Sequence, residues 1–259
     1  MHIPTDRDEQ PRQGGKLAVL GGCGGIGRAL VGAALRRGLD VAVLDLPASL
    51  QRYPAPDGIL SCPVDASDEA QLDAAFGSLA EAWGKLDGFV NLCGFWGDAS
   101  TVDDTPAAAW RSVVDGNLNA AFLAAARAIP LLRRGQGPSL VQVASGLAYY
   151  GRPGYGAYSA AKAGMASLTR TLAVENAPEI RVNTVAPSAV DTAFLRGGTG
   201  RSDEAGAVPL DLKAYAASIP LGRVAEADDV IGPILFLLGD QSRYVTGQVL
   251  HVNGGAFTY

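Results

Sequence analysis

The sequence predicts an α/β fold. It is a doubly wound, seven-stranded parallel sheet with helices on both faces, built as one domain over residues 16–259 behind a mobile extension, 1–15. Three observations lead there. Short apolar runs alternate with longer segments of helical period, which implies parallel strands joined by helical crossovers. A glycine-rich turn separates the first run from the first helix. Small and polar residues gather at the C-terminal ends of the runs, where open parallel sheets bind ligands. An apolar content of 48% is enough to cover both faces of such a sheet.

The first strand is expected at 16–20 and the first helix at 28–37. Between them lie Gly21, Gly22, Cys23, Gly24, Gly25, Ile26 and Gly27. Glycines here let the backbone turn tightly and approach a pyrophosphate seated on the helix's first N–H groups. The second strand, 41–45, ends in Asp45. An acid at this point accepts hydrogen bonds from an adenosine ribose and repels a 2′-phosphate. The alternative is that Asp45 caps a turn before Pro47. With no Lys or Arg in the loop before Gly25, and with Leu46 uncharged, the cofactor expected is NAD rather than NADP.

A third strand, 59–64, precedes Asp65 and Ala66. Asp65 either faces the adenine or caps the helix from Ser67. A helix over 69–83 leads to a buried strand, 86–92, containing Asn91 and followed by Cys93 and Gly94. Phe95 and Trp96 come next, as core or as the edge of a ligand cleft. A long helix runs from Pro106, read as its first residue with Thr105 as cap, to about Arg133. Asn117 falls inside it, an unfavourable place for asparagine. A strand at 139–144 ends at Ser145, and a loop rich in glycine and tyrosine follows. The next helix runs to about Asn176. A strand at 180–186 ends at Pro187 and Ser188, and 193–220 reads as a lid with a short helix over 210–218. A helix at 227–238 and a strand at 249–252 complete the chain.

Charge and composition exclude several functions. A net charge of −5 and a pI near 5.0 argue against nucleic acid as the main partner. Cys23, Cys62 and Cys93 have no metal-binding spacing and read as reduced thiols of a cytoplasmic protein. His2 and His251 are too few for a histidine metal site or a Ser-His-Asp triad. No metal is expected. No segment has the length and apolarity of a membrane span, and the N-terminus has no apolar core of a secretory signal.

Tyr158 and Lys162 supply the chemistry. In a helix they share one face. A free phenol, with a pKa near ~10, is a poor base at neutral pH, and a fixed cation nearby favours the phenolate. Such a pair moves a proton to or from an alcohol or carbonyl oxygen.

Taken together, the glycine turn with Gly21, Gly25 and Gly27, the Asn91-Leu92-Cys93-Gly94 element, Asn117, Ser145, Tyr158 with Lys162, the run from Arg181 to Pro187 and the ending from Thr246 to Gly255 resemble the short-chain dehydrogenase/reductase family. The resemblance covers about residues 16 to 255. It implies a Rossmann fold and an NAD-linked oxidation of a secondary alcohol (sugar, polyol, cyclic alcohol or hydroxy acid), or the reverse. By the same resemblance Tyr158 is the general base or acid and Ser145 binds the substrate oxygen. Lys162 lowers the Tyr158 pKa and holds the nicotinamide ribose. Asn117 fixes a water of a proton relay, and Val190 and Thr192 border the carboxamide. The resemblance also implies a homotetramer joined through the Tyr158 helix and the helix at 227–238. The sequence departs from the pattern at Leu20, Cys93 and Ser188, where the family often has Thr, Ala and Gly. Trp96, Leu147, Tyr149, Tyr150, Tyr155, Ser188, Ala189, Phe194 and Leu195 are the expected substrate lining. Arg152, Arg196 and Arg201 are candidates for an anionic group, or solvent-exposed. Two rival functions are a 3-oxoacyl-thioester reductase, disfavoured by Asp45, and a non-catalytic NAD sensor, disfavoured by the complete set of four catalytic residues.

Overall fold

A computed structural model describes residues 13–208 and 210–258. The expected extension therefore lies mostly outside the described residues, as do His2 and Tyr259. Seven parallel strands form one sheet in the order β3-β2-β1-β4-β5-β6-β7. They are β1 (Lys16–Leu20), β2 (Asp40–Asp45), β3 (Leu60–Pro63), β4 (Gly88–Asn91), β5 (Ser139–Val143), β6 (Arg181–Pro187) and β7 (Val249–Val252). The helices are α1 (Gly25–Arg36), α2 (Pro47–Arg52), α3 (Glu69–Trp83), α4 (Ala107–Val114), α5 (Ala120–Leu132), α6 (Gly156–Asn176), α7 (Leu212–Ser218) and α8 (Ala227–Leu238).

The sheet is apolar on both sides because helices cover both. Ala18 and Leu20 of β1 join a core with residues of α3, α5 and α6. Leu17 and Val19 point the other way, into a core with α1 and α8. This alternation is the period of two that a strand imposes. Arg181, at the start of β6, holds the far end of α8. Its guanidinium donates to the carbonyls of Leu237 (2.8 Å), Leu238 (3.2 Å) and Gly239 (3.1 Å), oxygens that a helix C-terminus leaves without partners.

Four local expectations need correction. The helix expected over 106–133 is three pieces, with a π-turn over Asp115–Asn119 between α4 and α5. The Asn117 amide donates to the Val113 carbonyl, four residues back, at 2.8 Å, and so enters the ladder that would otherwise close the helix. Pro106 is the N-cap of α4 rather than its first residue, and the Thr105 hydroxyl bonds to the Thr101 carbonyl instead of capping. The helix after β3 begins at Glu69 and is capped by Asp68, which accepts from the Gln71 N–H, so Asp65 is not its cap. Finally, α2 follows directly on Asp45 and Leu46, with Pro47 in its first turn, where a missing N–H costs nothing; the expectation there was at most a turn.

Candidate active site

The strand order reverses at β1, whose neighbours β2 and β4 lead to opposite halves of the sheet. Chains leaving such adjacent strands diverge and open a crevice at the C-terminal edge. One continuous cleft occupies that edge, from Asp45 and Asp65 at one end to Tyr150, Tyr155 and Tyr215 at the other.

The glycine turn forms the first end. Gly21 has φ +82° and its N–H bonds to the Leu44 carbonyl at 2.8 Å. A Cβ on Gly27 would collide with the Gly21 carbonyl oxygen, and one on Gly25 would lie 2.6 Å from Thr192 Cγ2. Those two positions are glycine because backbone and Thr192 fill the space. Gly24, Gly25, Ile26 and Gly27 line the cleft, whereas Cys23 is buried behind them. Its thiol is pushed up to about 12, first by burial and then by Asp45.

Asp45 does more than the sequence suggested. Its Oδ2 accepts the Cys23 N–H at 2.8 Å and its Oδ1 accepts the Leu46 N–H at 2.8 Å. The carboxylate therefore braces the glycine turn as well as edging the cleft. Arg28 lies close by, but its guanidinium donates to the Cys23 carbonyl at 2.6 Å and stacks 3.8 Å from the Tyr53 ring centroid. Leu46, Asp65 and Ala66 also line this end. Asp65 accepts from the N–H and hydroxyl of Ser67. Asn91 does not reach the cleft. It is fully buried, donates to Gln142 Oε1 at 2.8 Å and accepts the Cys93 N–H at 3.0 Å, so it shapes the turn that carries Cys93 and Gly94.

Tyr158, Ser145, Lys162 and Asn117 meet at the middle of the cleft. Tyr158 is 5% exposed, on the first turn and a half of α6. Burial raises its pKa above the ordinary phenol range, and a hydrogen bond with the Ser145 side chain works against that rise. The Lys162 ammonium lies 5.6 Å from the centroid of the Tyr158 ring and donates to the Val143 carbonyl at 3.1 Å. Burial lowers it to about 8. The Asn117 amide donates to Phe95 O at 2.7 Å, and its Oδ1 is buried with no hydrogen-bond partner among the described residues. A Cβ on Gly94 would sit 3.1 Å from Lys162 Nζ and collide with that Oδ1, so glycine here lets Asn117 and Lys162 close in on the turn after β4.

Aromatic rings line the far end. Trp96 meets Phe194 edge-on at 5.2 Å and Tyr155 at 5.7 Å, and Tyr158 faces Phe194 at 6.1 Å. Leu147, Tyr150, Pro187, Ser188, Ala189, Val190, Thr192 and Leu195 complete the lining as expected. Tyr149 does not join them, because it packs against His251 at 4.7 Å. Tyr215 of α7 was missed; its hydroxyl accepts the Ala189 N–H at 3.3 Å. Thr199 was also missed as cleft lining, while Arg152 and Arg201, two of the three candidates for an anionic group, do border the cleft. The segment around Thr199 is fastened to α2 and its C-cap, near the Asp45 end of the cleft: Ser49 Oγ donates to Thr199 O at 3.1 Å, Arg52 to Asp203 O at 2.6 Å, and Tyr53 to Glu204 Oε2 at 3.0 Å.

A family model described as enoyl-(acyl carrier protein) reductase matches residues 21–257. The chain is 34% identical over 249 residues to 2-(S)-hydroxypropyl-CoM dehydrogenase 3 of Xanthobacter autotrophicus, covering 92% of this chain and 95% of that protein. It is 32% identical over 244 residues to cis-4-hydroxycyclohexanecarboxylate dehydrogenase of Sinomonas cyclohexanicum, covering 92% and 94%. The crystal structure of levodione reductase superposes with a TM-score of 0.83 at 28% identity, over 95% of this chain and 99% of that one. Matched in this way along nearly its whole length, the chain is a member of the short-chain dehydrogenase/reductase family of oxidoreductases.

Proposed function

We propose that the protein is an NAD-dependent dehydrogenase that oxidises a secondary alcohol on a compact, ring-like body, with Tyr158 as the proton acceptor. One observation carries the reading: an acid-edged glycine cradle and an aromatic slot are two ends of one cleft, and Tyr158 and Ser145 stand where they meet. The cradle fits a dinucleotide, since Gly24, Gly25 and Gly27 bring bare backbone to the cleft at the start of α1 and Asn117 Oδ1 has an acceptor to spare. A bound nicotinamide supplies the hydride acceptor, which is the cofactor's chemistry rather than the protein's. The protein's part is to hold and deprotonate the alcohol. Ser145 donates to the substrate oxygen and Tyr158 takes its proton. Lys162 and Thr192 hold the nicotinamide end, and 193–220 close over the cleft as a lid. A ring-like alcohol suits the slot because flat rings on its wall offer apolar faces, and the cyclohexane-carboxylate and levodione relatives named above act on rings by their names.

NAD is preferred because Asp45 presents a carboxylate where a 2′-phosphate would lie, and the nearest cation, Arg28, is engaged. The same charge speaks against the acyl-thioester reductase that the family model's description brings to mind. Asp45→Asn keeps an acceptor for the Cys23 amide and removes the charge. Its expected effect is a drop of about tenfold or more in the ratio of NAD to NADP preference, since one charge contact is worth about 1–2 kcal/mol here. Titration of both reduced cofactors by fluorescence checks it; an unchanged ratio removes Asp45 from cofactor choice. The three cysteines are free and fit a reducing compartment such as the cytoplasm. Among the described residues no helix is long and apolar enough to cross a membrane.

A homotetramer joined through α6 and α8 fits two of the exposed apolar side chains, Val174 on α6 and Phe236 on α8. Light scattering at micromolar concentration is expected to give four chains; a monomer there rejects the assembly.

A further inference from the structure

The aromatic slot ends in a cation. Arg152 lies in the loop before α6, half-buried, with its guanidinium 5.6 Å from the centroid of the Tyr155 ring. Among the described residues it makes no salt bridge and no hydrogen bond. The other two arginines of these loops differ. Arg196 is engaged by Asp191 at 3.5 Å and by the Thr192 carbonyl at 3.4 Å. Arg201 is exposed, with its guanidinium 4.2 Å from the Phe95 ring centroid.

Among the described residues no carboxylate forms an ion pair with Arg152. The acids lining the cleft, Asp45 and Asp65, are at its opposite end. Asp211 borders the recess beyond Arg152, but its Oδ1 accepts from the Lys213 and Ala214 N–H groups as the cap of α7. The rings connect the two chemistries. From Tyr158 the wall passes to Phe194, to Trp96, to Tyr155 and then to the Arg152 guanidinium, in steps of 6.1, 5.2, 5.7 and 5.6 Å. A ligand lying along this wall has its hydroxyl at Tyr158 and its other end at a positive charge. Stacking on Tyr155 restricts the guanidinium before any ligand arrives, which reduces the ordering cost of a two-point hydrogen bond to a planar anion.

Building on the dehydrogenase reading, we propose that the substrate alcohol carries a carboxylate on the far side of its apolar body, and that Arg152 is the residue that selects it. A half-buried cation without a counter-ion is an unfavourable state that a substrate carboxylate relieves, and a neutral analogue does not. Discrimination then falls on the remote group, while the proton transfer stays with Tyr158.

The test uses the full chain with NAD and three alcohols of one ring: 4-hydroxycyclohexanecarboxylate, its methyl ester, and cyclohexanol. The expected result is a kcat/KM for the acid at least about tenfold above that for the ester, with the preference collapsing toward equality in Arg152→Gln and partly kept in Arg152→Lys. NADH affinity reports whether each variant is folded. A wild-type protein that treats acid and ester alike, or an Arg152→Gln variant that keeps the preference, overturns the assignment and leaves the dehydrogenase reading standing. Calorimetric binding of cyclohexanecarboxylate, which has no hydroxyl to oxidise, to the NADH-loaded protein separates the two ideas. Binding that weakens in Arg152→Gln supports the carboxylate site even if none of the three alcohols is turned over, a result that would count against the dehydrogenase reading alone. No binding to the wild type overturns the site.

Discussion

Tyr158→Phe is expected to lower the rate of alcohol oxidation by about 10²–10⁴-fold, the range of positioned general-base catalysis, while NADH binding changes only a few-fold. The substitution removes one oxygen from a ring that is 5% exposed and keeps the ring's contact with Phe194. The cleft wall and the cofactor cradle therefore survive, and the loss is confined to proton transfer. Burial holds the phenol in its protonated form, and the Ser145 hydroxyl is the nearby group that favours the phenolate. Oxidation needs the phenolate, so its rate rises with pH until the phenol is ionised in the working complex. Carbonyl reduction needs the protonated phenol and falls over the same range. Initial rates in both directions across pH check this, and oxidation that persists near the wild-type rate in the phenylalanine variant ends the proton-transfer role.

Lys162→Met is expected to reduce turnover by orders of magnitude and, in the cofactor-free protein, to raise thermal stability. Lys162 is 3% exposed and its ammonium is depressed by burial from 10.5 to about 8. The unfolded chain therefore binds this proton more tightly than the folded one. Between those two values the unfolded state carries more protons, so the wild type gains stability as pH rises from about 8 toward 10.5. Below that window the folded protein bears the full cost of the buried charge, offset in part by the bond to the Val143 carbonyl. Methionine fills much the same volume without the charge. The gain is on the order of 1–3 kcal/mol near pH 7 and shrinks toward pH 10. Calorimetric melts at both pH values test it, and a methionine variant that melts lower at neutral pH shows that the carbonyl bonds outweigh desolvation. Such a trade is the usual one for a functional group kept in place against its own solvation.

The frame of the molecule was legible in the residues because strand and helix periods are local. All seven strands stand where the apolar runs placed them, within a few residues, and α3 and α8 match their expected spans. The positions of Gly21–Gly27, Asp45, Ser145 and Pro187 at strand ends followed from the same pattern. The π-turn at Asn117 did not, because it depends on an amide reaching both Val113 and the distant Phe95 carbonyl. Nor did the fastening of residues 199–204 onto α2, whose bonds join segments 150 residues apart in sequence.

Local patterning also assigned more side chains to the cleft than belong there. Asn91, Cys23 and Tyr149 had the right neighbours in sequence, yet Asn91 pairs with Gln142, Cys23 lies beneath Asp45's hydrogen bond, and Tyr149 turns to His251. By itself the sequence determined the sheet, the glycine turn and the place of Ser145 and Tyr158 at the cleft, since apolar period and fixed motif spacing encode them within short stretches. Only the tertiary structure decided which of the three loop arginines meets a protein acid: Arg196 reaches Asp191, whereas Arg152 lies by the Tyr155 ring and Arg201 by the Phe95 ring. A charge's availability is set by every group that the fold brings within reach of it, and those groups come from distant parts of the chain.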